Sequence, residues 1–179
     1  VYIVGVRNDI AEQLGITSET IQNSYPAQEF RNGLKPCFMD VREEHEVSVK
    51  YYLSTQYMQT LINHKARHAA KGNGFGYEII PNDGIANAIV VGGMGRERNL
   101  VVDHRLTNFT PVTKIKGEVN REGIRRMTPR EWARLQGYPD NFIIPVADAS
   151  AYKQFGNSVA VPAVYATANN LLNLIKPLL

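Results

Sequence analysis

RRMTPREWARLQGYPD, residues 125–140, reads as a basic turn that runs into a capped helix and stops at a glycine. Thr128 can cap the helix, and Pro129 sits at the first helical position, where its missing N–H costs nothing. Glu131 can reach back as the other half of a capping box. Such a cap contributes about 1 kcal/mol. Gly137 is the expected stop. Arg121, Arg125, Arg126, Arg130 and Arg134 crowd this region, interleaved with Met127 and Trp132. A solvated helix face would account for them. A buried Trp beside a capping box instead describes a fixed scaffold, with some arginines on phosphate and others in internal carboxylate pairs.

A second loop-to-helix junction follows closely: AYKQFGNSVAVP, residues 151–162. It opens a last helix expected from about Ser158 to Ile175. Val161, Val164, Ala168, Leu171, Leu172 and Ile175 share one face of that helix, while Tyr165, Asn169, Asn173 and Lys176 share another. The small residues Ala160, Ala163 and Ala166 let a sheet approach its first half. At the other end of the chain, VYIVGVR (residues 1–7) has no polar alternation and reads as a parallel strand buried on both faces. Such a strand needs neighbours, and few other runs of its kind follow, so part of the sheet is expected to lie outside these residues.

Between the ends, residues 8–36 are polar and broken by Pro26, Gly33 and Pro36, which predicts a connecting loop with one short helical turn. FMDVREEHEV is a small mixed segment. From Lys50 onward the chain has helical marks: Ser54 as N-cap, Tyr57, Leu61 and Ile62 at helical spacing, and Gly72 as a stop. Residues 72–103 are rich in glycine and β-branched side chains and predict hairpins and irregular loops.

A chain of 179 residues, 44% apolar, holds one ordinary core or a core plus a small lobe. Its net charge of +3 permits a nucleic-acid partner without requiring one. The single cysteine excludes a disulfide framework or a cysteine-rich zinc site and suits a reducing cytoplasm. No apolar run approaches the roughly 20 residues of a membrane span, and no signal peptide is seen.

Several stretches could carry chemistry. Pro36-Cys37-Phe38 could present a thiolate, but attack on carbon needs a shaped loop and a nearby acid or base, so Cys37 is read as buried and inert. His64 and His68 stand four apart and could chelate a metal, yet a third ligand is lacking. The cluster of His64, Lys65, Arg67, His68 and Lys71 more simply makes a surface for phosphates, with a solvated face as the bland alternative. GNGFG and GGMG do not clearly follow a strand and open a helix, as a phosphate cradle does. Their glycines serve turns in a β-rich lobe or let backbone approach a bulky ligand such as DNA, and the basic company of Lys71, Arg96 and Arg98 favours DNA.

RRMTPREWARLQGYPDNF resembles the ninth conserved motif of the DNA cytosine-5 methyltransferases, and YKQFGNSVAVPAV resembles the tenth. VYIVGVR is similar to the end of the eighth. GNGFGY and the glycine-rich arms after it resemble one branch of the target-recognition domain that this family inserts between the eighth and ninth motifs. The resemblance implies an α/β fold: the C-terminal portion of a Rossmann-like methyltransferase sheet plus a small β-rich target-recognition lobe. Its parts would be residues 1–44 as the end of the catalytic domain and a connection, 45–124 as the recognition domain, 125–150 as the ninth-motif helix and hinge, and 151–179 as the returning tenth motif.

That family moves a methyl group from S-adenosylmethionine to carbon 5 of a flipped cytosine, using a Pro-Cys thiolate, a Glu-Asn-Val motif and a Phe-x-Gly-x-Gly cofactor loop. The resemblance places Cys37 after the eighth-motif strand, in a Pro-x-x-x-Asp-Val segment matched by Pro36, Asp40 and Val41, which leaves no catalytic residue here. The family's usual Thr-Leu or Thr-Ile pair is not evident at Ala88-Ile89. By resemblance, Asn157, Ser158 and Val159 would line the S-adenosylmethionine pocket at the start of the last helix. Lys65, Arg67, His68, Lys71, Asn73, Arg96 and Arg98 would face DNA. Arg125, Arg126, Arg130 and Glu131 would organise the joint between lobes.

The implied partners are double-stranded DNA and the catalytic N-terminal half of the same enzyme, in a bacterial cytoplasm and within a restriction-modification setting. No metal and no membrane are implied. The competing expectations are a non-catalytic DNA-binding remnant or regulator and, last, a self-sufficient enzyme using Cys37.

Overall fold

The computed structural model describes residues 3–24, 37–92 and 95–178. It divides into two compact units, residues 1–33 with 159–179, and residues 34–158.

The smaller unit contains α1 (Asn8–Leu14), α2 (Ser18–Asn23) and the last helix, α6 (Val161–Ile175). The polar stretch after the expected first strand therefore folds as two short helices where a loop with one helical turn was expected. Thr17 caps α2 in a full capping box with Thr20, a local signal inside the polar run. The expected strand at residues 1–7 is not formed among the described residues 3–7. Among the described residues no neighbour supplies the ladder that extended backbone needs, and Ile3 is 96% exposed. Val1 and Tyr2 lie outside the described residues. α6 begins three residues later than expected, with Pro162 in its first turn, and none of its residues is buried.

In the larger unit, α3 (Thr55–Ala69) starts where Ser54 accepts the Tyr57 N–H at 3.1 Å, and the chain turns away at Gly72 with φ 74°. Met58 and Leu61 are its buried residues, whereas Ile62 faces out. They pack with Leu53, Leu100 and Ile124. The sheet has three short strands, β1 (Ile79–Ile80), β2 (Leu100–Val102) and β3 (Ile124–Arg126), in that order.

β1 pairs parallel to β2, and β2 antiparallel to β3. Of the hairpins and irregular loops expected for residues 72–103, the described residues show irregular loops, and a crossover through a 3₁₀ turn at Gly95–Asn99 takes the place of a hairpin. Side chains close that crossover. Asn99, fully buried, accepts the Asn87 N–H at 2.7 Å and donates to the Asn87 carbonyl at 3.1 Å. Asn87 in turn donates to Glu78 and to the Arg98 carbonyl.

α4 (Pro129–Leu135) follows β3 directly. Its N-terminus is the expected capping box, with Glu131 N–H to Thr128 Oγ1 at 3.1 Å and Thr128 N–H to Glu131 Oε2 at 2.8 Å. Its C-terminus closes at Gly137 (φ 80°), where Gly137 N–H reaches the Arg134 carbonyl and Tyr138 N–H that of Ala133. Trp132 is buried against Tyr152 of α5 (Asp148–Asn157), edge to face at 4.9 Å. Phe38, Val101, Met127 and Phe155 complete that core.

Candidate functional site

Two kinds of cation separate in the larger unit. The first kind is internal. Arg125, fully buried on β3, donates to both oxygens of Glu131 at 2.8 Å and to Asp103 Oδ2 at 3.0 Å. Glu131 also receives the Glu43 N–H at 3.1 Å, and Thr128 Oγ1 donates to Glu43 Oε1 at 3.0 Å. Arg105 grips the other side of Asp103 through Nε at 2.8 Å and Nη2 at 2.7 Å, and donates to the carbonyls of Glu43 and Glu44. Burial pushes the Asp103 carboxyl up, but its hydrogen bonds from Arg105 and the charge of Arg125 outweigh this and hold it well below the usual carboxylate range.

Arg126 pairs with the buried Glu97 at 2.8 Å, and Tyr57 Oη donates to the same carboxylate at 3.2 Å. Arg134 donates to the Val41 and Arg42 carbonyls and pairs with Asp140. Arg130 donates to the carbonyls of Pro139 and Phe142, fastening the loop after α4. Of the four residues expected at the joint, Arg125 and Glu131 thus meet directly, Arg126 turns to α3 and the Gly95–Asn99 turn, and Arg130 stays local.

The second kind is exposed. Arg67 and Lys71, near the end of α3, make no ion pair among the described residues. Lys65 is engaged: its ammonium donates to the Tyr77 carbonyl at 3.1 Å and lies 5.0 Å from that ring. His68 stacks on His64 with centroids 4.4 Å apart, and no cluster of three metal-ligating residues occurs among the described residues. The Asn73 N–H donates to the His68 carbonyl. Arg98 sits 3.7 Å from Glu78, and Arg96 lies over the Tyr152 ring at 5.4 Å.

The two sequence junctions are joined at their ends. Gln136 Nε2 donates to the Phe155 carbonyl at 2.9 Å and the Ser158 carbonyl at 3.4 Å, and the Tyr138 and Ser158 hydroxyls are 2.7 Å apart. Asn157 is the last residue of α5 and Ser158 its C-cap, with the Ser158 N–H on the Phe155 carbonyl at 3.2 Å. They stand at a helix end, not at the expected helix start. Val159 is 54% exposed. Cys37, expected to be buried, is half-buried and precedes a 3₁₀ turn, with its N–H on Asp40 Oδ2 at 2.7 Å.

Sequence reasoning missed Asp103, Glu43, Glu97, Asn87 and Asn99. The available signal was arithmetic: several arginines on a scaffold require internal carboxylates.

A mixed sheet flanked by helices defines an α/β protein, and the fold is that of a methyltransferase. A solved structure of the Entamoeba histolytica methyltransferase EhMeth matches with a TM-score of 0.52 over 83% of this chain and 44% of that one, at 16% identity. The family model for C-5 cytosine-specific DNA methylase matches residues 1–173, and the chain belongs to that family. The Type II methyltransferase M.HpaII of Haemophilus parainfluenzae is 77% identical over 135 residues, which is 75% of this chain and 38% of that protein. The DNA-cytosine methyltransferase of Escherichia coli (strain K12) is 32% identical over 186 aligned positions, covering 98% of this chain and 38% of that protein. The chain therefore spans 38% of the length of each of these two relatives. No helix among the described residues is long and apolar enough to cross a membrane.

Proposed function

We propose that this chain supplies the DNA-recognising part of a cytosine-5 DNA methyltransferase and one wall of its cofactor pocket, while the nucleophile and the cofactor loop come from a catalytic part. The observation that carries this reading is the sorting of cations. Arg105, Arg125 and Arg126 are neutralised inside by carboxylates, whereas Arg67, Lys71 and Arg96 stay exposed without one among the described residues. Exposed unpaired cations on a rigid scaffold are what a phosphate backbone requires.

Cys37 does not serve as nucleophile in this reading. It sits at the start of a 3₁₀ turn whose carboxylate, Asp40, is already bonded to its own N–H. S-Adenosylmethionine, when bound, supplies an electrophilic methyl group. The carboxyl end of α5 is the negative end of the helix dipole. Asn157 and Ser158 would therefore face the cationic part of the cofactor, its ammonium or sulfonium, in place of the carboxylate that a helix start would favour. Apolar Val161, Val164 and Leu172 on α6 remain exposed and would bury against the catalytic part.

The test is paired. The 179-residue chain alone should bind duplex DNA with steep salt dependence and transfer no methyl group from labelled S-adenosylmethionine. Mixing it with a catalytic part that carries the Pro-Cys and Phe-x-Gly-x-Gly motifs should restore transfer. Methylation by the chain alone would overturn the reading, and binding without restored transfer would favour a non-catalytic DNA-binding protein.

A further inference from the structure

The larger unit contains a cavity of about 970 Å³ whose wall carries Lys50, Arg96, Lys114, Lys116 and Arg126 against one acid, Asp148. Two of these cations are tied down: Lys50 to Asp148 at 2.7 Å and Arg126 to Glu97 at 2.8 Å. Arg96, Lys114 and Lys116 have no carboxylate partner among the described residues.

Tyrosines also line the cavity, which would ordinarily suggest base stacking. Here cations already lie over three of the rings. The Lys50 ammonium lies 4.9 Å from the centre of Tyr51, the Arg126 guanidinium 5.3 Å from Tyr57, and that of Arg96 5.4 Å from Tyr152. The rings thus position charge and are poor platforms for bases.

A second segment of the lining, around Ile115, is fixed too. The Ile115 N–H closes a turn onto the Val112 carbonyl at 2.8 Å, and Ile115 packs against the core of Val47, Tyr52, Leu106 and Val119. An anchored Ile115 leaves Lys114 and Lys116 exposed on either side of it. A space of this size, lined by cations from several separate segments of the chain, fits an extended run of phosphates better than one small anion.

We propose that this groove receives the sugar-phosphate backbone of one DNA strand, with Arg96, Lys114 and Lys116 as phosphate contacts and Lys50 and Arg126 as its fixed flanks. The assignment rests on the DNA-binding reading above and places the phosphate track in this groove, beyond the basic end of α3.

The experiment titrates salt against binding of fluorescent duplexes of two unrelated sequences to the full chain. R96A, K114A and K116A should each lower the log–log slope by about 0.9, weakening both duplexes equally, with thermal midpoints unchanged. The charge-retaining K114R/K116R variant should keep the unaltered slope. An unchanged slope in R96A/K114A/K116A would overturn the groove assignment. So would a loss confined to one duplex, which would make these residues base readers. If the unaltered chain shows no salt-dependent duplex binding, the DNA reading itself fails, an outcome distinct from failure of the groove alone.

Discussion

Arg125 and Glu131, six residues apart, face each other through two hydrogen bonds of 2.8 Å with both side chains fully buried. The same carboxylate closes the capping box of α4, and the same guanidinium reaches Asp103 just after β2. This network therefore fixes the start of α4 to the antiparallel pair β2 and β3. The residue after Arg125, Arg126, pairs with Glu97 and lines the proposed groove.

Removing one member of this network should be far worse than removing a surface arginine. Arg125→Met leaves Glu131 and Asp103 as buried, partly unpaired carboxylates, and the expected loss is about 3–5 kcal/mol. Arg121→Met, at an exposed pair with Glu118, should change stability by under about 1 kcal/mol. Urea unfolding followed by Trp132 fluorescence gives both values. Equal effects for the two variants would show that the buried pair is replaceable.

The cap gives a smaller, separable effect. Thr128→Ala loses the bond from the Glu131 N–H and the one to Glu43, and should cost about 1–2 kcal/mol. Thr128→Ser keeps both and should unfold near the unaltered midpoint. A serine variant as weak as the alanine one would place the loss in the methyl group's packing.

Acid should unfold the larger unit through Asp103. Its folded pKa lies below the ordinary value of 3.8, so the unfolded chain binds more protons between the two values and stability rises with pH there. The contribution is complete above the ordinary value and disappears as pH falls through the folded one. Asp103→Asn should be less stable at neutral pH and show a flatter dependence below about pH 4. Urea midpoints measured downward from about pH 5 would reveal a parallel, unflattened curve if another carboxylate carries the acid transition.

Local signals in the sequence were readable because their causes are local. Ser54, Thr128 and Gly137 each act within a few residues, and each does what its chemistry dictates. The partners of the arginines were hidden because Glu97 lies 29 residues from Arg126, and Asp103 22 residues from Arg125. The parallel pairing of β1 and β2 was hidden for the same reason: Asn87 and Asn99, not a turn motif, close the crossover. The break between α5 and α6 was legible in principle. Pro162 belongs in a first turn, which places the start of the last helix at Val161 and not at the expected Ser158.

The corrected position of Asn157 sharpens the test of the cofactor-side reading. In an enzyme reassembled with its catalytic part, Asn157→Ala should raise the S-adenosylmethionine requirement several-fold, the effect of about 0.5–1.5 kcal/mol for one neutral hydrogen bond. Duplex affinity should stay nearly constant, because the groove proposed for DNA is lined by other residues. Asn157→Asp adds a carboxylate at the negative end of α5. If the cofactor's cationic part lies there, this variant should bind S-adenosylmethionine at least as tightly as the alanine variant does, and its advantage should shrink as salt rises. Titrating cofactor against both variants decides the point. Unchanged cofactor affinity with lost DNA binding would put this end of α5 on the DNA side of the cleft. An aspartate variant weaker than alanine would return the cofactor's carboxylate to this site.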